Sequence, residues 1–277
     1  MNSLILDCHI HVLTPDQAPD PSLLLRDMKK AGVSGGVIIG LPPASIRHLT
    51  RQVPFADRLR NLLDWARSTD LFPLFWLDPT ESDAAAQVDR CMAAGVKGFK
   101  VICDRFYPGD DRALRTFKHI AATGKPILFH SGILWDGQVS SKYNRPVEFE
   151  ALLDVPGLRF MLAHISWPWC DELVAVFGKF INARSLRKDL NIEMFVDLTP
   201  GTPPIYRDEA LKRLFGSGYD VSRNVCYGTD CMVKGYDISW TRSWIERDSS
   251  TLERIGVPAE TIQNVFAENL KRFLGLA

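Results

Sequence analysis

The feature that most limits what this chain can become is a rhythm. Short runs rich in β-branched and aromatic residues alternate with amphipathic stretches of helical period from one end to the other. The strand candidates are 4–12, 36–40, 71–77, 98–102, 126–130, 158–164, 192–198 and 224–228. Between them, Leu59, Leu62, Leu63 and Ala66 fall on one face of a helix predicted over 57–67. Ala84, Val88, Cys91 and Met92 do the same over 83–94, where Ser82 or Asp83 can cap the start and Gly95 ends the helix. A closing helix over 260–274 buries Ile262, Val265, Phe266, Leu270 and Phe273, with Gly275 just beyond it. Eight strands, each followed by a helix, predict a parallel sheet closed into a (β/α)₈ barrel, a single α/β domain over 1–277. The competing arrangement is an open doubly wound sheet, but no G-x-G-x-x-G follows the first strand.

Charge excludes several classes of function. The 33 basic and 33 acidic residues cancel, so nothing points to nucleic acid, a membrane surface or a strongly charged partner. No apolar stretch approaches the roughly 18 residues a bilayer demands, and the first residues carry no basic region. The six cysteines are scattered without a C-x-x-C pair, which suits reduced thiols in a cytoplasmic enzyme. The expected partner is a small-molecule substrate.

The first strand reads Asp7-Cys8-His9-Ile10-His11. Regular alternation places Asp7, His9 and His11 on one face and Cys8, Ile10 and Val12 on the other. Imidazoles two strand residues apart, with α-carbons roughly 6.6 Å apart, can lean onto one divalent ion at about 2.0–2.1 Å. Inward-facing polar groups are costly in a packed barrel unless something satisfies them. The bland reading is a pair of hydrogen-bonded surface histidines. Against it, His130 ends the apolar run 126–129, His164 ends 158–163, and Asp230 follows Cys226-Tyr227-Gly228-Thr229. Each stands at the carboxyl end of a predicted strand, the face on which such barrels build active sites. His48 and His119 fall in a loop or helix and are expected to face solvent without a role.

These landmarks resemble the amidohydrolase superfamily, and most of all its amidohydrolase-related (amidohydrolase 2) branch of lactonases, decarboxylases and hydratases. The likeness is carried by Asp7-x-His9-x-His11, by Gly98-Phe99-Lys100, by His130 in Phe-His-Ser-Gly and by His164 in Leu-Ala-His. Gly228-Thr229-Asp230 and the closing Glu268-Asn269-Leu270-Lys271-Arg272-Phe273 complete it. TatD-type nucleases usually carry a strand-four glutamate that Gly98-Phe99-Lys100 replaces, and the three-metal ligand pattern of PHP-type phosphoesterases is not seen.

The resemblance implies one divalent metal, zinc before manganese, held by His9, His11, His130 and Asp230, with His164 beside it. Asp230 is then the general base and His164 polarises the scissile carbonyl. In binuclear relatives a strand-four lysine is carboxylated and bridges two ions; Lys100 is expected either to contact a substrate carboxylate or an ion-pair partner, or to form that bridge to a second metal. The implied activity is hydrolysis of an amide, lactone or ester bond, with a non-oxidative decarboxylase or hydratase as the alternative and an inactive scaffold barrel as the third reading. Arg47, Arg51, Arg105, Tyr107, Trp135, Tyr143, Arg145, Trp167, Trp169 and Trp240 lie on loops after strands. Arg105, Arg145 and Trp167 are the substrate contacts chosen among them. The branch also implies a homo-oligomer.

Overall fold

The computed structural model describes residues 4–15, 18–46 and 52–276. Among the described residues nine strands run parallel: β1 (Leu6–His11), β2 (Gly35–Ile39), β3 (Leu71–Trp76), β4 (Gly98–Val101), β5 (Ile127–Phe129), β6 (Arg159–Leu162), β7 (Glu193–Asp197), β8 (Val225–Cys226) and β9 (Cys231–Met232). They lie in the order β8-β7-β6-β5-β4-β3-β2-β1-β9. The Cys8 N–H donates to the Tyr227 carbonyl at 3.0 Å, so the two ends of the sheet meet and the barrel closes. Eight strands were expected; the eighth is interrupted. Residues 227–230 leave the ladder after β8, and β9 rejoins it beside β1, pairing Ile10 with Cys231. The interruption lies at the active-site end, where Asp230 takes a left-handed φ of 62°.

The α-helices are α1 (Pro21–Ala31), α2 (Phe55–Trp65), α3 (Ala84–Ala93), α4 (Asp111–Ala122), α5 (Cys170–Leu186), α6 (Pro204–Gly216), α7 (Ile238–Arg254), α8 (Ala259–Gln263) and α9 (Asn269–Leu274). Helix α1 shows why the local sequence folds as it does. Asp20 caps it by accepting from the Leu23 N–H, Pro21 supplies a preset φ, and Gly32 ends it in the left-handed region. Leu24, Met28 and Ala31 then form its buried stripe, and each large apolar side chain buried contributes about 1.5–3 kcal/mol.

Four helical segments depart from expectation. In α2 the buried positions are Arg58, Leu62 and Trp65, with Leu59, Leu63 and Ala66 only partly covered. The Arg58 guanidinium turns inward because it donates to the Trp76 carbonyl at 2.8 Å and lies 4.7 Å over the Phe75 ring. Asp83 flanks α3 without capping it; its carboxylate accepts from Gln87 Nε2 instead. After β5, the expected α-helix is replaced by two 3₁₀ stretches, Ser141–Asn144 and Pro146–Asp154. Pro146 forces Arg145 into an extended conformation between them, breaking any continuous helix. The closing helix contains a π-turn, Asn264–Glu268, between α8 and α9.

Two apolar layers hold the barrel. One lies between strands and helices and includes Ile10, Ile38, Phe99, Phe129 and Phe160. The other fills the interior with Cys8, Val37, Leu74, Leu128, Met161, Phe195 and Cys226, closed off by Leu270, Phe273 and Leu274 of α9. Asn269 ties α9 to β8 by donating to the Val225 carbonyl at 2.8 Å. All six cysteines are buried and unbonded. Among the described residues no helix is long and apolar enough to cross a membrane.

Candidate metal and active site

The carboxyl ends of the strands enclose a cavity of about 320 Å³ whose wall includes His9, His11, Lys100, His130, His164 and Asp230. The first strand reaches it through an irregularity that simple alternation does not foresee. The pairing of β1 with β2 shifts register between Asp7 and Ile10. Cys8 therefore joins the barrel interior with Leu6, while His9 and His11 both reach the cavity. Asp7 does not share their face. Its buried carboxylate accepts from the His9 N–H, the Thr229 N–H and hydroxyl, and the Tyr236 hydroxyl. Burial pushes its pKa up to about 7 against those hydrogen bonds. Asp7 thus ties β1 to the segment carrying Asp230.

Gly228 belongs to the same construction. A Cβ there would stand 2.4 Å from Thr199 Oγ1, 2.8 Å from Cys8 Sγ and 3.2 Å from His9 Cβ. Only glycine lets the chain pass this close behind His9.

Three donor atoms converge on one point. His9 Nε2 lies 3.1 Å from His11 Nε2 and 3.8 Å from Asp230 Oδ1, and His11 Nε2 lies 3.3 Å from the same oxygen. His9 Nδ1 is 2.6 Å from Asp197 Oδ2, both side chains being fully buried. Burial, aided by the Lys100 charge, pushes the His9 pKa down to about 3. Burial alone would raise Asp197, but the His9 ring and the Thr199 N–H bring it down to about 2. The stable arrangement is a neutral His9 donating Nδ1–H to an anionic Asp197, which leaves the Nε2 lone pair aimed at the convergence point. Asp230 is likewise held well below the usual carboxylate range, since the His11 hydrogen bond and the neighbouring imidazoles outweigh its burial.

Two imidazole nitrogens and a carboxylate oxygen, all within 4.8 Å of one another, suit a borderline divalent cation. Three such groups facing a cavity match the ligand number of catalytic metal sites, which keep a further position for water or substrate.

His130 is not part of this converging set. Its Nε2 is 3.2 Å from the Ile133 carbonyl, and its ring stands 5.0 Å from that of His164. That hydrogen bond holds the ring against the wall, so the expectation of a fourth ligand is not met in this geometry. His164 sits 5.3 Å from His9, ring to ring, at the start of three consecutive left-handed residues, His164, Ile165 and Ser166, with φ of 62°, 47° and 54°. Such backbone costs about 1–3 kcal/mol per residue and persists only where its surroundings demand it. Here the Ser166 and Ser131 hydroxyls are 2.7 Å apart, and Ser131 donates to the Asn144 carbonyl. Gly201 passes so close that a Cβ would lie 2.7 Å from His164 Cβ. Burial lowers the His164 pKa, and its Nδ1 has no hydrogen-bond partner among the described residues.

Lys100 is 1% exposed, with Nζ 3.4 Å from His9 Nε2. Burial brings its pKa down to about 8, opposed by Asp197 and Asp230. Trp167 lines the cavity and stacks on Tyr206. Arg105 and Arg145 do not line it. Arg105 is taken by Asp78 and the Ser45 carbonyl, and Arg145 pairs with Glu172 while lying over Trp169. Tyr107 and Tyr143 pack on each other, and Trp240 lines an adjoining cleft that shares Pro200, Asp230 and Met232 with the cavity. Trp135 is on the cavity wall though 82% exposed. His119, expected to face solvent, is 38% exposed in its side chain and pairs with Asp89. Arg47, His48 and Arg51 lie outside the described residues.

Sequence reasoning missed Asp197 behind His9 and, on the cavity wall, Trp76 and Asp104. Asp197 carried the same signal that singled out Asp230, an acidic group at the carboxyl end of an apolar strand.

A sequence model of the amidohydrolase family matches residues 6–276. No curated protein sequence matches the chain. Among solved structures, a probable 2-pyrone-4,6-dicarboxylic acid hydrolase from Acinetobacter baumannii, with citric acid bound, superposes with a TM-score of 0.61 at 12% identity, covering 99% of this chain and 100% of that one. A 2,6-dihydroxybenzoate decarboxylase in complex with 2,6-dihydroxybenzoate gives 0.64 at 11% identity, over 99% and 98% of the two chains. A zinc-bound amidohydrolase from Burkholderia multivorans gives 0.62 at 12% identity, over 99% and 100%. At such identities the structural likeness speaks for the barrel fold, and the sequence match over nearly the whole length speaks for the family: the chain belongs to the amidohydrolases.

Proposed function

We propose that this protein is a metal-dependent hydrolase that cleaves an amide, lactone or ester bond of a small molecule. The observation that carries the reading is the convergence of His9 Nε2, His11 Nε2 and Asp230 Oδ1 on the wall of the cavity at the strand ends, with Asp197 behind His9. These residues would hold one divalent ion, zinc before manganese by their borderline character. When bound, such an ion supplies water acidified to near neutrality and a Lewis acid for a carbonyl oxygen.

The chain's own residues do the rest. Asp230, held anionic, takes the proton of the attacking water on a carboxylate oxygen and returns it to the leaving group. His164, presented by its left-handed turn, donates a hydrogen bond to the carbonyl oxygen as charge develops there. Trp76, Ile102, Ile133 and Trp167 exclude bulk water and strengthen those interactions. Lys100 meets an acidic group of the substrate; an unmodified ammonium this close to His9 would repel a cation, so its charge is offset by substrate or removed by carboxylation, which would admit a second ion. The size of the cavity fits a substrate of modest size; we further propose a homo-oligomer, which the family resemblance implies, and a reducing, cytoplasmic setting, which the buried unpaired cysteines support.

The lyase alternative rests on the same lysine. A cation within a tryptophan-rich wall also suits a carboxylated ring that loses CO₂ or takes up water. The zinc-loaded protein, incubated with lactone, ester and carboxylated aromatic panels, separates the two. Turnover of a lactone or ester without CO₂ release is the expected result; CO₂ release or alkene hydration would replace the hydrolase reading with the lyase one.

A further inference from the structure

We infer that Asp197 is a positioning residue that sets how tightly the site holds its metal, acting through His9. The inference rests on the metal reading above and extends it to a residue outside the ligand set.

Burying an isolated carboxylate is expensive, and replacing it by an apolar group of similar size is often neutral or stabilising for a fold. Asp197 is nevertheless fully buried, deep in the barrel mouth. Its two oxygens have separate tasks. Oδ2 accepts from His9 Nδ1 at 2.6 Å, and Oδ1 accepts from the Thr199 N–H. Among the described residues, one hydrogen bond of this carboxylate thus grips His9 and the other fixes its own rotamer.

The backbone around it is held just as firmly. The Leu198 N–H donates to the Cys226 carbonyl at 2.8 Å, while the Leu198 carbonyl accepts from Arg207. Arg207 is itself buried and bidentate to Asp248, which spans α6 and α7. Leu198 is therefore held at both its N–H and its carbonyl, and with the Thr199 N–H on Oδ1 this fixes the backbone that presents the carboxylate to His9. The result is an imidazole whose proton is fixed on Nδ1, whose Nε2 lone pair faces the convergence point, and whose far side meets the negative charge of Asp197. That charge also offsets Lys100, the buried cation on the other side of His9.

Removing such a carboxylate typically costs 10- to 100-fold in metal affinity. Two variants separate its charge from its grip. Asp197→Asn keeps an oxygen able to accept from Nδ1 but loses the charge; Asp197→Ala loses both. Zinc affinity of each full-length protein is measured by competition with a chromophoric chelator, and circular dichroism of the metal-free forms checks the fold. The expected result is an affinity loss of about tenfold for the asparagine variant and nearer 100-fold for alanine, with wild-type circular dichroism. Should alanine fail to fold, the asparagine variant carries the test alone. If wild type binds zinc and Asp197→Asn holds it within twofold of wild type, the inference is overturned while the metal reading stands. If wild type itself takes up no divalent ion, both fall together.

Discussion

At the scale of single residues, the site is a set of side chains that each have one available partner direction. Asp230 faces two histidines and the cavity, and no other acidic group among the described residues is within reach of both. Asp230→Asn is expected to lower kcat by about 10²–10⁴, the range for loss of a positioned base, in steady-state kinetics on whichever lactone or ester the wild type hydrolyses. Gly228 is a residue-scale feature with a stability consequence. A methyl group at Gly228→Ala would meet Thr199 and Cys8 inside contact distance, so overpacking of about 1–3 kcal/mol is expected. A lower urea midpoint at unchanged slope reports it; a wild-type midpoint would show that the close approach is relieved without cost.

At the scale of elements, the helices are held by local chemistry that can be tested one cap at a time. Asp110 caps α4 by accepting from the Arg112 N–H, and its carboxylate also pairs with the Arg112 guanidinium. That side-chain hydrogen bond, against slight burial, holds its pKa down to about 2 from 3.8. A pKa depressed in the folded state gives stability that is fully present above the unfolded value and lost as pH falls through the folded one. Asp110→Ala is therefore expected to cost about 1 kcal/mol at pH 7. The difference from wild type should narrow as pH falls from about 4 toward 2, read by urea unfolding at a series of pH values. A constant difference across that range would show the cap acting without its charge. Strand β1 teaches the opposite lesson. Its residue types marked it as a strand, but the register shift that puts His9 and His11 together and turns Asp7 away comes from pairing with β2 and with the segment after β8. No pattern within residues 6–11 announces it.

At the scale of the whole molecule, binding and folding are linked. An ion that binds only the folded barrel at 100 times its dissociation constant stabilises it by about 2.7 kcal/mol. Stripping the protein with a chelator should lower Tm by several degrees, and zinc should restore it; an unchanged Tm would argue that the convergence point holds no ion. The buried Arg207–Asp248 pair joins α6 and α7 far along the chain. Arg207→Met leaves Asp248 buried without its partner and is expected to cost about 3–5 kcal/mol. Adding Asp248→Leu should recover much of that loss in the same unfolding measurement.

The sequence by itself determined the alternation of strand and helix, the stations of His9, His11, His130, His164 and Asp230 at strand ends, and membership of the amidohydrolases, because periodicity and motif spacing are properties of short stretches of chain. Tertiary structure alone decided which of those groups meet. Asp197 reaches His9 across 188 residues of sequence, His130 turns to the Ile133 carbonyl instead of joining His9 and His11, and Arg105 and Arg145 spend their charges on Asp78 and Glu172. Convergence of that kind depends on register, bulges and competing partners from distant segments, and the free energies that choose among them belong to the packed barrel.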